Sequence, residues 1–280
     1  IVLCENIRYY AEEEGNDDDF AKKVARLGDV YVNECFSVDH RAHATTVGIP
    51  KYLPTYAGLL LEKEISALSK VLEDPERPLV AIIGGAKVSD KIKILAKLLP
   101  IVDRLIIGGG MANTFLAAKG YDMQKSLVEE DKIDLAKDIL NGEYAEELIL
   151  PVDCRAASEF SNDADIKLVA ADAIPEGYQS LDIGDASIDA FVKALDGAKT
   201  ILWNGPMGVF EMSNFAIGTK AIAQAVAATD AYSVIGGGDS SAAVKAVGME
   251  KGISHISTGG GASLKFLEGK ELPGIAACKE

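Results

Sequence analysis

Two lysines and one aspartate keep the company that makes them chemically informative. Lys87 and Lys91 lie four apart just after Gly84-Gly85-Ala86, and Asp239 follows Gly236-Gly237-Gly238 and precedes Ser240-Ser241. A glycine-rich stretch that follows an apolar strand and opens a helix leaves unpaired N–H groups and a partial positive charge, which suits an anion. The device recurs at Gly108-Gly109-Gly110, at Gly205 and Gly208 around Pro206, and at Gly259-Gly260-Gly261. Any one of these stretches could be only a tight turn. Together they point to a phosphate-bearing ligand held at the carboxyl edge of a parallel sheet.

Lys87 and Lys91 would share one face of a helix over 87–99, at the end whose dipole disfavours cations, and an anion held between them would remove that conflict. Two solvated lysines on an exposed turn would show the same spacing. Asp239 suits an N-cap, and it equally suits a carboxylate aimed at a Mg²⁺ riding on nucleotide phosphates. Neither G-x-x-x-x-G-K-[ST] nor G-x-G-x-x-G is present, which counts against a P-loop NTPase and an NAD dehydrogenase. Arg8, after the strand-like Ile1-Val2-Leu3-Cys4, and Arg41, within His40-Arg41-Ala42-His43, could bind a small phosphorylated acid in bidentate fashion, although surface ion pairing is the commoner use of arginine. His40 and His43 have no third ligand nearby, so zinc is not expected.

The elements that must position these residues follow from the apolar pattern. Buried strands are expected at 79–83, 104–107, 148–152, 200–203 and 231–235, alternating with helices at 87–99, 111–119, 131–140, 188–195, 214–228 and 240–247. A longer amphipathic stretch over 57–72 carries Leu61, Ile65, Leu68 and Leu72 as one stripe. It ends at Glu73-Asp74-Pro75-Glu76-Arg77-Pro78, a natural domain boundary. The expected organisation is a remnant of a first domain over 1–56, a connecting helix over 57–74 and a second domain over 75–280, with the last residues a candidate to return to the first lobe.

Composition bounds the rest. Across 280 residues, 28 Lys and Arg against 43 Asp and Glu leave a formal charge of −15, which argues against nucleic acid and anionic membrane partners. The apolar share of 48% and charged share of 25% are those of an ordinary folded protein. Four scattered cysteines with no C-x-x-C pair imply neither zinc nor a disulfide framework, and favour reduced thiols in the cytoplasm. No apolar run reaches the ~18 residues of a membrane span. The chain opens without Met as if a strand were already under way, so a missing upstream part is expected.

These residues together resemble the phosphoglycerate kinase family. The matching stretches are Glu5-Asn6-Ile7-Arg8, His40-Arg41-Ala42-His43, Gly84 through Lys91 (GGAKVSDK), Ile107 through Phe115 (IGGGMANTF), Trp203 through Glu211 (WNGPMGVFE), Gly236 through Ser240 (GGGDS) and Ser257 through Leu264 (STGGGASL), in the family's order. The resemblance implies an α/β fold of two lobes, each a Rossmann-like three-layer αβα parallel sheet, with the first lobe incomplete here. It implies reversible phosphoryl transfer between 1,3-bisphosphoglycerate and ADP, giving 3-phosphoglycerate and ATP, by a monomer that uses Mg²⁺. The alternative is a shortened module that holds nucleotide without turnover.

By position, the resemblance assigns Arg8, His40 and Arg41 to the acid substrate, and Lys87, Gly260 and Gly261 to catalysis. It assigns Gly85, Ala86, Lys87, Lys91, Gly109, Gly184, Asn204, Glu211, Gly237, Gly238, Asp239 and Ser240 to the nucleotide, with Asp239 also the metal ligand. Ser37-Val38-Asp39 departs from the small Gly-Thr-Ala type of run that the family places before His-Arg-Ala-His, which puts an acidic side chain beside the substrate motif.

Overall fold

The computed structural model describes residues 1–278 and divides into two units, one of Ile1–Ser69 with the chain from Thr258 onward, the other of Lys70–Ser257. In the first unit, helices α1 (Ala11–Glu14) and α2 (Asp18–Ala25) precede strands β1 (Tyr31–Asn33) and β2 (Thr55–Ala57), which pair in parallel with Tyr31 opposite Thr55. Asp17 caps α2, its Oδ1 accepting the Phe20 N–H at 2.8 Å. The strand expected at residues 1–4 is not formed. Ile1, Val2 and Leu3 are exposed and pair with no strand among the described residues, and a strand without a ladder leaves its polar backbone without partners. Arg8 lies instead in a 3₁₀ turn, Ile7–Tyr9, whose cap Asn6 accepts the Arg8 N–H at 3.0 Å.

Helix α3 (Leu59–Leu72) realises the amphipathic stretch expected over 57–72. Leu61 and Leu68 are fully buried, while Ile65 and Leu72 are partly buried. The border between the units falls inside this helix, after Ser69.

The second unit is built on a parallel sheet of six strands: β3 (Leu79–Ile83), β4 (Arg104–Ile107), β5 (Leu148–Ile149), then β9 (Thr200–Asn204), β10 (Tyr232–Gly236) and β11 (His255–Ile256). Their spatial order is β11-β10-β9-β3-β4-β5. Every residue of β3 and β9 is buried, because helices cover both faces of a central parallel strand. The helices are α4 (Ile92–Leu98), α5 (Gly109–Ala118), α6 (Ile133–Leu140), α7 (Asp185–Ala194), α8 (Ile217–Ala227) and α9 (Gly238–Ala246). Trp203, Ile82, Phe191, Ile222 and Ile235 share one cluster, and each such fully buried side chain contributes about 1.5–3 kcal/mol. Register aligns the strand ends: Ile83 pairs with both Ile107 and Asn204, and Asn204 with Gly236. Four glycine stretches therefore leave the sheet on one edge.

Three further strands, β6 (Asp153–Ala157), β7 (Ile166–Ala170) and β8 (Gln179–Ile183), form a separate antiparallel sheet that the apolar pattern did not announce. The run expected over 148–152 stops at Ile149, since Pro151 has no N–H for a ladder. The helix expected over 87–99 begins only at Ile92, with Lys91 as its N-cap residue. After the second unit, α10 (Gly261–Leu267) and α11 (Pro273–Ala276) rejoin the first. Among the described residues no helix is long and apolar enough to cross a membrane.

Candidate active site

Backbone from three loops interlocks at the sheet edge of the second unit. Gly84 N–H donates to Asn204 O at 2.9 Å, Gly85 N–H to Pro206 O at 3.0 Å, Gly109 N–H to Met207 O at 3.1 Å and Met111 N–H to Gly85 O at 3.0 Å. Such proximity requires glycine. A Cβ on Gly109, whose φ is +68°, would come within 2.6 Å of the Gly85 backbone, and one on Gly205, at φ +98°, would collide with Gly84 O. The glycines thus serve mutual packing of the loops as well as any ligand. Trp203 anchors the same corner, its buried indole N–H donating to Gly205 O at 2.7 Å.

The two lysines part company here. Lys87 is exposed in the loop, not on a helix, so the shared helix face expected for it and Lys91 does not exist. Ser89 and Val88 explain this: Ser89 donates from its N–H and hydroxyl to Glu129 at 3.0 and 2.5 Å, while Val88 is fully buried, and these contacts hold the chain out of a helix. Lys91 is partly buried and its Nζ donates to Asn204 Oδ1. Burial pushes its ammonium pKa down, opposed by the charges of Asp90 and Asp239. Asn204 Nδ2 donates in turn to Gly236 O at 2.9 Å, and Ser240 Oγ accepts the Gly205 N–H at 2.6 Å. Lys91, Asn204 and Gly236 are therefore one hydrogen-bonded group, and Ser240 joins it through Gly205, the residue after Asn204.

Asp239 does not cap α9. Gly237, at φ +95°, is the N-cap residue, and Asp239 stands exposed in the first turn, where a negative charge suits the dipole. Its carboxylate is thereby left to border a cavity of about 480 Å³, together with Gly85, Ala86, Gly109 and Glu211. Gly184 is not on that wall. It is the N-cap residue of α7, and its missing side chain makes room for Asp153, whose carboxylate accepts the Ala186 and Ser187 N–H groups at 3.0 and 2.7 Å.

Several wall residues carried no distinguishing sequence signal. Leu127, Phe160, Leu181 and Val209 make one side of the cavity apolar, as a flat aromatic ligand would need. Asp182 could have been noticed as a charge inside the apolar run Leu181-Asp182-Ile183. It is 2% exposed, accepts the Gly218 N–H at 2.8 Å, and packs against Gly208 of the loop that carries Glu211. Burial raises its carboxyl pKa to about 7 despite the N–H groups of Gly218 and Ile183 that favour the charged form.

In the first unit, His40 lies beside the start of α10. A Cβ on Gly261 would stand 3.3 Å from His40 Nε2, and Gly260, the N-cap residue at φ +52°, has open space around it. Burial lowers the His40 pKa, and the positive charges of Arg41 and Lys265 add to the effect, so the neutral imidazole is favoured. Arg41 and Arg8 are exposed. The segment following Arg41 is tied down from two sides. Thr46 Oγ1 donates to Arg41 O at 2.7 Å, and the buried Glu13 accepts from Thr45, from its N–H at 2.9 Å and also from its hydroxyl.

Comparison with known proteins places this geometry in context. The family model described as phosphoglycerate kinase matches residues 1–270. A curated phosphoglycerate kinase from Moorella thermoacetica is 57% identical, over all of this chain and 72% of its own length. The solved structure of phosphoglycerate kinase from Coxiella burnetii superposes with a TM-score of 0.92 at 46% identity, covering 99% of this chain and 72% of that one. That of Pyrococcus horikoshii OT3 superposes with a TM-score of 0.86 at 34% identity, covering 98% and 71%.

Proposed function

Because the chain belongs to the phosphoglycerate kinase family, and is thus a kinase that moves a phosphoryl group reversibly between 1,3-bisphosphoglycerate and ADP, we propose which of its residues do this work. The cavity of the second unit holds the nucleotide, and the observation that carries this is the convergence of glycine loops, Lys91 and Asp239 at one sheet edge beside an apolar wall. The apolar side takes the base, Glu211 the ribose, and Gly85, Ala86, Gly109, Gly237, Gly238 and Ser240 lie along the phosphates. Asn204 fixes Lys91, so a cation waits at the phosphates with little reorganisation.

Among the described residues no group of three or more His, Cys, Asp and Glu side chains could hold a metal. A divalent ion at this site would therefore be held by Asp239 together with the nucleotide's own oxygens, a donor set natural to Mg²⁺. Bound there, the ion would neutralise phosphate charge. Lys87, exposed and free to follow the phosphoryl group, would stabilise the charge spread over its equatorial oxygens. In the first unit Arg8, Arg41 and the neutral His40 bind the phosphorylated acid, with Gly260 and Gly261 beside them supplying N–H groups. A cytoplasmic monomer is the expected working form, with small molecules as its partners. No observation favours the alternative of a nucleotide-binding module without turnover.

Titration calorimetry tests the nucleotide reading. ADP with Mg²⁺ should give a saturable isotherm that weakens when EDTA is added, and a flat isotherm at millimolar nucleotide would refute the assignment.

A further inference from the structure

Beneath His40 and Arg41 lies Asp39, a side chain with no exposed surface. Its Oδ1 accepts from Asn33 Nδ2 at 2.7 Å, while Oδ2 is buried with no hydrogen-bond partner among the described residues. The chain's later stretch is fitted against the same carboxyl. Gly274 N–H donates to Asp39 O at 3.0 Å, Asn33 Nδ2 also reaches Gly274 O at 3.5 Å, and a Cβ on Gly274 would collide with Asp39 Oδ1. Asn33 is itself held, its Oδ1 accepting the Cys35 N–H at 3.1 Å. Helix α11, which contains Gly274, packs on the π-helical turn Ala44–Gly48 that follows His43. One buried carboxyl thus touches both the loop that bears His40 and Arg41 and the segment that backs it.

We propose that Asp39 is a positioning residue for the His40-Arg41 loop, a latch to segment 272–278 that is tight when its carboxyl carries a proton and strained when it is ionised. A buried carboxylate with a single neutral donor is poorly compensated. Among the described residues Tyr31 on β1 and Cys278 after α11 face this carboxyl, Cys35 and Glu13 face Tyr31, and the buried His43 stands on the loop side with its Nδ1 3.8 Å from Glu13 Oε1. Arg41 on the same loop and Lys265 on α10 act on His40 and are not among the groups that shift Asp39. Burial raises the Asp39 carboxyl to about 6, only partly opposed by the Asn33 hydrogen bond. The sign follows from a folded-state pKa above the usual carboxylate value: the latch's stability is complete at low pH and is lost as pH rises through about 6.

The proposal rests on assigning His40 and Arg41 to the acid substrate, but hydrogen exchange reads the latch without that assumption. After correction for intrinsic rates, protection of 272–278 and of 40–48 in the wild-type chain should fall about tenfold between pH 5 and pH 7.5, while the fully buried strand β3 serves as the internal control. Asp39→Asn should abolish that pH dependence in both segments. It should also flatten the pH profile of KM for 3-phosphoglycerate while leaving KM for ATP within about twofold. A wild-type profile flat in both segments, or an Asp39→Asn profile as steep as wild type, would overturn the latch. If the variant does not fold, the wild-type series against β3 decides alone. An exchange pattern as expected with an unchanged acid KM would uphold the latch and count against the acid-binding role of His40 and Arg41.

Discussion

Lys87 and Lys91 show how little a sequence spacing constrains two side chains once a loop intervenes. Lys91 is held by Asn204 and depressed in pKa by burial, whereas Lys87 stands in solvent. Their substitutions should separate accordingly. Lys87→Ala should lower kcat by a factor on the order of 10² or more with KM for ADP nearly unchanged, because a mobile cation acts chiefly in the transition state. Lys91→Ala should instead raise KM for ADP about tenfold and leave Asn204 Oδ1 unpaired. Steady-state kinetics on the two variants checks this, and turnover within about twofold of wild type in both would deny the lysines a part in the reaction and leave Lys91 a purely structural partner of Asn204.

Among elements, the interlocked loops are the part most sensitive to a single atom. Gly205→Ala should destabilise the chain by about 2–4 kcal/mol, since the added methyl meets Gly84 O and the φ of +98° is itself unfavourable for alanine. Gly177→Ala provides the control, because Gly177 has a similar φ of +83° but open space, so only about 1–2 kcal/mol of backbone strain should appear. Urea denaturation of both variants measures the difference. Equal losses would show that the loop contacts matter less than backbone conformation.

The same scale shows why some elements were legible and others not. Strands β3 and β4 follow the apolar runs to the residue, because a strand buried on both faces leaves an unbroken hydrophobic signature. The β7-β6-β8 sheet has no such signature, since strands such as β7 are half exposed and their mixed composition resembles loop. The start of α4 lies later than the local pattern implies, because Ser89 is bonded to Glu129, forty positions away in sequence. Asp239 was a plausible cap by type, yet Gly237 holds the cap position by its positive φ.

For the molecule as a whole, an excess of acidic charge and the proposed polyanionic ligand are reconciled by one fixed cation, Lys91, at a sheet edge rich in backbone N–H groups. Mg-ADP at a hundredfold excess over its Kd should add about 2.7 kcal/mol to the stability of the state that binds it. Hydrogen exchange should show the gain around 84–91, 204–211 and 236–240, and EDTA should remove most of it. Protection absent from those segments and present elsewhere would move the nucleotide site.

What the sequence determined alone was the chemistry of the ligand and the family: glycine stretches after apolar runs, two lysines, an aspartate, and seven ordered motifs that resemble phosphoglycerate kinase. Those features are local, set by residue type and short spacing, so one dimension holds them. Only the tertiary structure decided that Lys91 is fixed by Asn204 while Lys87 is not, that Asp182 stands in the cavity wall while Gly184 serves Asp153, and that Asp39 is buried against Gly274. Each of these depends on which distant segment removes water from a side chain and which donors it then meets, and burial and partnership across the chain leave no mark on local pattern.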